Sequence, residues 1–156
     1  CSMEKDSLSL LKDAVIHLVR NAIDHGIEAP MQRMEKGKSD VGKITIQCVD
    51  KGLDSIKIEI KDDGQGINEE KICEKAIEKG ILTKDEILEL SDEEKIKIIF
   101  RPGFSTKEEV TEISGRGIGM DVVKMNLEKI GGDIKIKNKE GKGTQFDISL
   151  NKKIRI

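Results

Sequence analysis

The sequence predicts an α/β domain, and three patterns predict it. Apolar residues recur at helical spacing through Leu11, Ala14, Val15, Leu18, Val19, Ala22 and Ile23. Apolar and polar residues alternate in two pairs of short runs: Ile44, Ile46 and Cys48 with Ile56, Ile58 and Ile60, then 133–137 with 144–150. Helical patterns punctuated by glycine fill the chain between the two pairs. At 156 residues the chain has the size of one ordinary domain, taken as residues 3–156 because Cys1-Ser2 ahead of Met3 reads as an expression remnant. Aromatics are only 2%, without Trp or Tyr, so the core must be aliphatic. A net charge of -2 with both signs interspersed gives no basic stripe, and no nucleic-acid partner is expected. No apolar run reaches membrane-spanning length and no signal peptide is visible. Three cysteines, Cys1, Cys48 and Cys73, show no paired spacing, as expected of reduced thiols in a cytoplasmic protein.

The first helix is expected over 3–26, capped by Asp6 or Ser7 and stopped by Gly26. Pro30 opens a short helix reaching Lys36. The hairpin of 43–60, turning at 50–54, should bury one face. A helix over 68–79 should point Ile72, Ala76 and Ile77 inward and end at Gly80. Thr83-Lys-Asp-Glu86 and Ser91-Asp-Glu-Glu94 fit capping boxes of two further helices, the second ending near Phe100. Residues 120–130 form a helix stopped by Gly131-Gly132. A strand over 133–137, a turn over 138–143 and a strand over 144–150 close the domain.

Several stretches carry chemistry. His17, Asn21, Asp24 and His25 fall at i, i+4, i+7 and i+8 and share a stripe beside the apolar one. An imidazole, a carboxamide, a carboxylate and a second imidazole can hold a hydrated cation and anionic oxygens, but a solvated helix face shows the same pattern. Asp62-Asp-Gly-Gln-Gly66-Ile67 follows a strand directly. Its glycines let a flat ligand approach the backbone and its carboxylate can accept from an exocyclic amine; an acidic surface turn is the alternative. Lys71 and Lys75 share one side of their helix, placed for phosphates or for solvent. Residues 101–120 are glycine-dense, polar and without periodicity, and a segment of that length inside a compact domain is usually functional. Gly115, Gly117 and Gly119 precede a helix start, where backbone N–H groups bind phosphate, although the spacing is that of neither a Walker loop nor G-x-G-x-x-G. The alternative there is a flexible linker. Thr144 opens a strand, where its hydroxyl can face a ligand or simply serve strand propensity.

Taken in order, these stretches resemble the ATP-binding superfamily shared by gyrase B, MutL, the Hsp-ninety chaperones and histidine kinases. Within it the chain is most similar to the kinase domain of the chemotaxis histidine kinases of the CheA type. His17-Leu-Val-Arg-Asn-Ala-Ile-Asp-His-Gly-Ile-Glu28 resembles the N box, and Asp62-Asp-Gly-Gln-Gly-Ile67 the G1 box. Phe100-Arg-Pro-Gly-Phe-Ser105-Thr106-Lys107 resembles the F box, and Ser114-Gly-Arg-Gly-Ile118-Gly-Met120-Asp-Val-Val-Lys124 the G2 box. Gly143-Thr144 matches the last nucleotide contact. The resemblance implies a two-layer sandwich, a mixed sheet covered on one face by helices, with a mobile lid over ATP. It implies that Asp62, with Thr144, receives the adenine amino group and that Gly64, Gly66 and Ile67 line the base. Asn21 would complete a Mg²⁺ shell, and Asp24 would lie close by. His17, His25, Lys71, Lys75 and Lys107 would stand near the phosphates, with Ser105, Thr106, Gly115, Gly117, Ile118, Gly119 and Met120 forming the lid.

The implied reaction is transfer of the γ-phosphate to a histidine on a separate phosphotransfer domain, by positioning and charge neutralisation. Response regulators would follow indirectly; chemoreceptor and coupling protein would engage domains outside this chain. The isolated domain is expected to be a monomer and the whole kinase a dimer. The superfamily's hydrolases carry a Glu four residues before the helix Asn, and here that position is His17. Its absence separates this chain from the gyrase B or MutL type of ATPase clamp. An anti-sigma-type serine kinase fits the Phe box and Gly-Met-Asp less well, and a non-catalytic nucleotide sensor would not need every ligand position filled.

Overall fold

The computed structural model describes residues 2–52, 55–105 and 119–151, with side chains from residue 6 onward. The chain forms two compact units, one of Cys1–Ile67 with Asn126–Ile156 and the other of Asn68–Met125.

The first unit is built on a four-stranded sheet in the order β1-β2-β4-β3. β1 (Ile44–Asp50) pairs with β2 (Ser55–Asp62), β2 with β4 (Gly143–Asn151), and β4 with β3 (Asp133–Lys139). All three pairings are antiparallel, so among the described residues the sheet is antiparallel where the resemblance implied a mixed one. Both short connections are hairpins, and the long excursion between β2 and β3 returns β4, not β3, to the side of β2. Register places Ile60 opposite Phe146, and Ile148 opposite both Ile58 and Ile134. That face is the core: Ile60, Ile134, Phe146, Ile148 and Leu150 are all buried. α1 (Ser2–Asn21) lies against β2 and contributes Ala14 and Leu18. The α/β layering expected from the sequence is therefore present, with helix on one face of the sheet. The opposite face is charged. Glu59 and Asp147 sit directly across from each other, and Lys57 compensates, paired with Glu59 and 3.5 Å from Asp147. Lys137 adds a 3.2 Å contact to Asp147.

Besides the mixed sheet, four expectations fail in this unit. Helix α1 starts at Ser2, so Asp6 and Ser7 lie inside it and do not cap it; Met3, Glu4 and Lys5 are good helix formers and extend it backward. Ile23 is not inward but 58% exposed. Ala22–Gly26 is a π-helical turn, in which Ile27 N–H donates to the Ala22 carbonyl at 2.8 Å. The extra residue in that turn breaks the helical stripe. The hairpin's buried face fails at β1, where Ile46 is 53% exposed and Cys48 is exposed, because β1 is the sheet edge while α1 lies against β2. β3 continues to Lys139, because Asn138 pairs with Thr144 and Lys139 with Gly143. The short helix at Pro30 forms as expected, as α2 (Pro30–Glu35).

The second unit is helical. Asn68 caps α3 (Glu69–Glu78), its Oδ1 accepting from Lys71 N–H at 2.9 Å. Gly80 ends that helix with φ +67°. Both capping boxes form, opening α4 (Lys84–Leu88) and α5 (Asp92–Ile96), and a 3-10 turn follows over Lys97–Phe100. Ile72, Ala76, Ile96, Ile98, Phe100 and Val123 are buried. Ile77 is 41% exposed against expectation: five residues beyond Ile72, it points about 140° away around the helix. α6 (Met120–Lys129) starts in this unit and ends in the first.

Candidate functional site

The first unit brings the end of β2, the end of the π turn and the start of β4 together around Asp62. Asp62 is 7% exposed. Asp62 Oδ1 accepts from Gly64 N–H at 2.9 Å, and the Thr144 N–H also points at the carboxylate. Burial pushes the Asp62 carboxyl above its ordinary pKa, the neighbouring Asp63 adds to this, and those two N–H groups and Lys38 oppose it. An acceptor held in this way, desolvated and on a rigid strand end, is suited to one donor of a flat ligand.

Two of the glycines around Asp62, Gly64 and Gly143, are there because backbones touch. A Cβ on Gly26 would stand 3.4 Å from Asp62 Oδ1. On Gly64 it would overlap the Gly26 carbonyl, and on Gly143 the Asp62 carbonyl. The helical segment ends at Gly26 as expected from the sequence, though not through a left-handed glycine. The next residue, Ile27, is extended, and a Cβ on Gly26 would make ordinary contact with the Asp62 carboxylate. Gly66, at φ +72°, is a true left-handed position. Gln65 ties this loop to the π turn, its N–H donating to the Gly26 carbonyl at 2.8 Å and its Nε2 to the His25 carbonyl at 2.7 Å.

Two groups of residues that sequence patterns did not single out hold the Asp62–Ile67 loop. On one side is a buried charge network. Arg33 is 1% exposed; it pairs with Glu28 at 3.1 Å and with Asp63 Oδ2 at 2.9 Å, and also donates to the carbonyls of Ser39 and Asp63. Lys38 Nζ donates to Glu28 and to the carbonyls of Asp63 and Gly64, at 2.8, 3.0 and 2.7 Å. Burial alone would raise both acids. For Glu28 the Lys38 hydrogen bond and charge prevail, and for Asp63 the Lys43 N–H and the Arg33 guanidinium do, so both stay below their ordinary values. On the other side is Asn138. Its Oδ1 accepts from Ile67 N–H at 2.7 Å and from Thr144 Oγ1 at 3.2 Å, while its Nδ2 donates to the Ile67 carbonyl at 2.8 Å. Gly141 N–H adds a bond to the Gln65 carbonyl. Arg33 on a six-residue helix and Asn138 in an expected turn carry no periodic signal, which is why neither stands out in the sequence.

The polar stripe of the first helix is split by exposure. His17 and Asn21 are half-buried; Asp24 and His25, in the π turn, are exposed. Burial first, and then the Arg20 charge, holds the His17 imidazole below its ordinary pKa. No group of three or more His, Cys, Asp or Glu residues suited to a metal ion occurs among the described residues. In the second unit Lys71 is exposed and Lys75 half-buried, with its ammonium 5.0 Å from the centre of the Phe104 ring. Lys79 donates to the Phe104 carbonyl. Ser105 and Gly119 are half-buried and Met120 is buried. Thr106, Lys107, Gly115, Gly117 and Ile118 lie outside the described residues, as does most of the expected lid.

Residues 7–154 match the model of one family, described as "Histidine kinase-, DNA gyrase B-, and HSP90-like ATPase". The chain is 45% identical over 148 residues to the chemotaxis protein CheA of Bacillus subtilis, and 47% identical over 148 residues to that of Klebsiella aerogenes. Each alignment covers 95% of this chain but 22% of the relative, so the chain spans about a fifth of the length of these curated relatives. Among solved structures it is similar to the catalytic domain of histidine kinase ThkA, with TM-score 0.52 and 25% identity, covering 94% of this chain and 70% of that one. No helix among the described residues is long and apolar enough to cross a membrane.

Proposed function

We propose that this chain, which belongs to the histidine kinase-, DNA gyrase B- and HSP90-like ATPase family, is the ATP-binding catalytic domain of a chemotaxis histidine kinase. In this reading residues 3–156 act as one domain that binds Mg-ATP and passes the γ-phosphate to a histidine on another domain. The observation that carries it is Asp62: a desolvated carboxylate at a strand end, set among glycines at which an added side chain would run into neighbouring backbone. Its free lone pairs accept from the adenine amino group, with Thr144 beside it. Gly64, Gly66 and Ile67 form the wall on which the base lies.

Asn21 offers one carboxamide oxygen from the last turn of α1. This suits Mg²⁺, which takes oxygen ligands, keeps several waters and draws the rest from phosphates. The ion supplies charge neutralisation at the phosphates when bound. Asp24 and His25 stand on the following turn, and His17 one turn before. His17 is the position at which the hydrolases of the superfamily carry a Glu that activates water. A half-buried imidazole with a lowered pKa is neutral at pH 7 and holds its proton on one nitrogen. Lys71, Lys75 and Lys107 are proposed phosphate contacts; Ser105, Thr106, Gly115, Gly117, Ile118, Gly119 and Met120 are the proposed lid. The partner is the phosphotransfer domain; response regulators, receptor and coupling protein are reached through other domains.

The test is to mix the chain with ATP, Mg²⁺ and a separate histidine-containing phosphotransfer domain. Acid-labile, base-stable phosphate on that partner is the expected result. Phosphate released only to water would replace this reading with a hydrolase.

A further inference from the structure

We infer that Asn138 is a positioning residue that fixes the direction of the Thr144 hydroxyl and thereby selects an adenine over a 6-oxopurine. This rests on the ATP-binding reading above and deepens it.

Asn138 lies directly across from Thr144 in the β3–β4 register. The two bonds to Ile67 settle the orientation of its side-chain amide. The oxygen must meet the Ile67 N–H and the NH₂ must meet the Ile67 carbonyl, and this puts the oxygen, not the nitrogen, next to Thr144 Oγ1. An amide oxygen only accepts, so Thr144 must donate. A hydroxyl has one proton and two lone pairs. With its proton committed to Asn138, Thr144 can only accept from a bound ligand.

Asp62, when ionised, is also acceptor-only. The two groups beside each other at the start of β4 and the end of β2 therefore present acceptors alone. Adenine brings an exocyclic amino group, which is a donor. Hypoxanthine and guanine bring a carbonyl at that position, an acceptor facing acceptors. Sites built to hydrogen-bond one group reject an analogue that leaves their buried polar atoms unpaired. Without Asn138 the hydroxyl proton is released, can turn toward the ligand, and can donate to a 6-oxo group. Asn138 also ties Ile67 in place, so a structural role must be separated from the directional one.

The test is calorimetry at pH 8 with ADP and with inosine diphosphate. It uses the unmodified chain, Asn138→Ala, the near-isosteric Asn138→Leu and Asn138→Ser, each also in a Thr144→Val background. Asn138→Ala or Asn138→Leu, whichever folds, should lower the ADP-to-IDP preference about 10-fold, the worth of roughly one hydrogen bond. Asn138→Ser, which retains an acceptor oxygen, should keep most of the preference. In the Thr144→Val background the Asn138 substitutions should no longer change it. Equal weakening of both nucleotides, or a change in preference that persists without the Thr144 hydroxyl, would overturn the assignment and leave Asn138 a loop tie. An unmodified chain that binds ADP and IDP equally would overturn it too. An unmodified chain that binds neither would instead overturn the ATP-binding reading.

Discussion

Arg33 and Glu28 form a 3.1 Å ion pair in which both side chains are 1% exposed, and Arg33 carries that pair to Asp63, the residue after Asp62. A charge buried so completely is costly to leave alone. Removing one partner of a buried pair destabilises by about 3–5 kcal/mol. Arg33→Ala should therefore lower stability by that order in chemical denaturation, and Glu28→Gln by less, since Lys38 and Arg33 retain other acceptors. Arg33→Ala should also weaken ADP binding, because Asp63 loses the two bonds by which Arg33 holds the loop. Full affinity in a folded Arg33→Ala protein would detach the network from the site.

The proposed acceptor role of Asp62 comes with a buried charge that works against stability at neutral pH. Burial raises its pKa in the folded state, so the folded protein binds more protons than the unfolded one. Its contribution to stability is full below the ordinary carboxylate pKa and is lost as pH rises through the raised folded value. Asp62→Asn retains an acceptor for the Gly64 and Thr144 N–H groups without the buried charge. It should leave the nucleotide-free protein at least as stable at pH 7, and the difference should vanish at pH 3. Its ADP affinity should fall about 10- to 100-fold, as a charged hydrogen bond is worth roughly 1.5–3 kcal/mol. Unchanged calorimetric affinity would remove Asp62 from the site.

Asn21→Ala should weaken ATP binding in Mg²⁺ far more than in EDTA, since the proposed role of its oxygen is toward the ion and not toward the base. Equal losses under both conditions would give Asn21 a packing role.

Burial lowers the pKa of the His17 imidazole in the folded state. The unfolded state then binds the more protons around pH 6, so stability should rise with pH up to about 6.5, its ordinary value, and fall below it. His17→Gln should flatten that part of the curve, as followed by thermal melts between pH 5 and 8. A profile that keeps its slope would show that another group carries it.

The chain has two histidines, His17 and His25, one inside α1 and the other in the π turn that continues it. In the proposed site both stand on the element that lines the phosphate end, and neither is the acceptor. The chain alone should acquire no stable phosphohistidine from Mg-ATP. A separate phosphotransfer domain should be labelled slowly, because the tether that raises effective concentration is missing. Stoichiometric acid-labile phosphate mapped to His17 or His25 would overturn the roles given to both.

By itself the sequence determined what depends on neighbours along the chain. The two capping boxes at Thr83 and Ser91, the proline start of α2, the glycine stop after α3 and both hairpins follow from spacings of a few residues, where local hydrogen bonds and φ preferences decide. The loop from Asp62 to Ile67 was legible for the same reason, since a strand running into two glycines has few other uses. Tertiary structure decided what needs partners far away in sequence. Gly64 has no room for a side chain because the Gly26 carbonyl lies against it, which no local pattern records. Arg33 matters because Asp63, thirty residues on, comes to meet it, and Asn138 because Ile67 and Thr144 both reach its amide. The π turn that exposes Ile23 and displaces Asp24 and His25 breaks a periodicity that the sequence continues without interruption. Burial, charge pairing and close backbone approach are properties of the folded neighbourhood, and they turn an acidic turn into a candidate adenine acceptor.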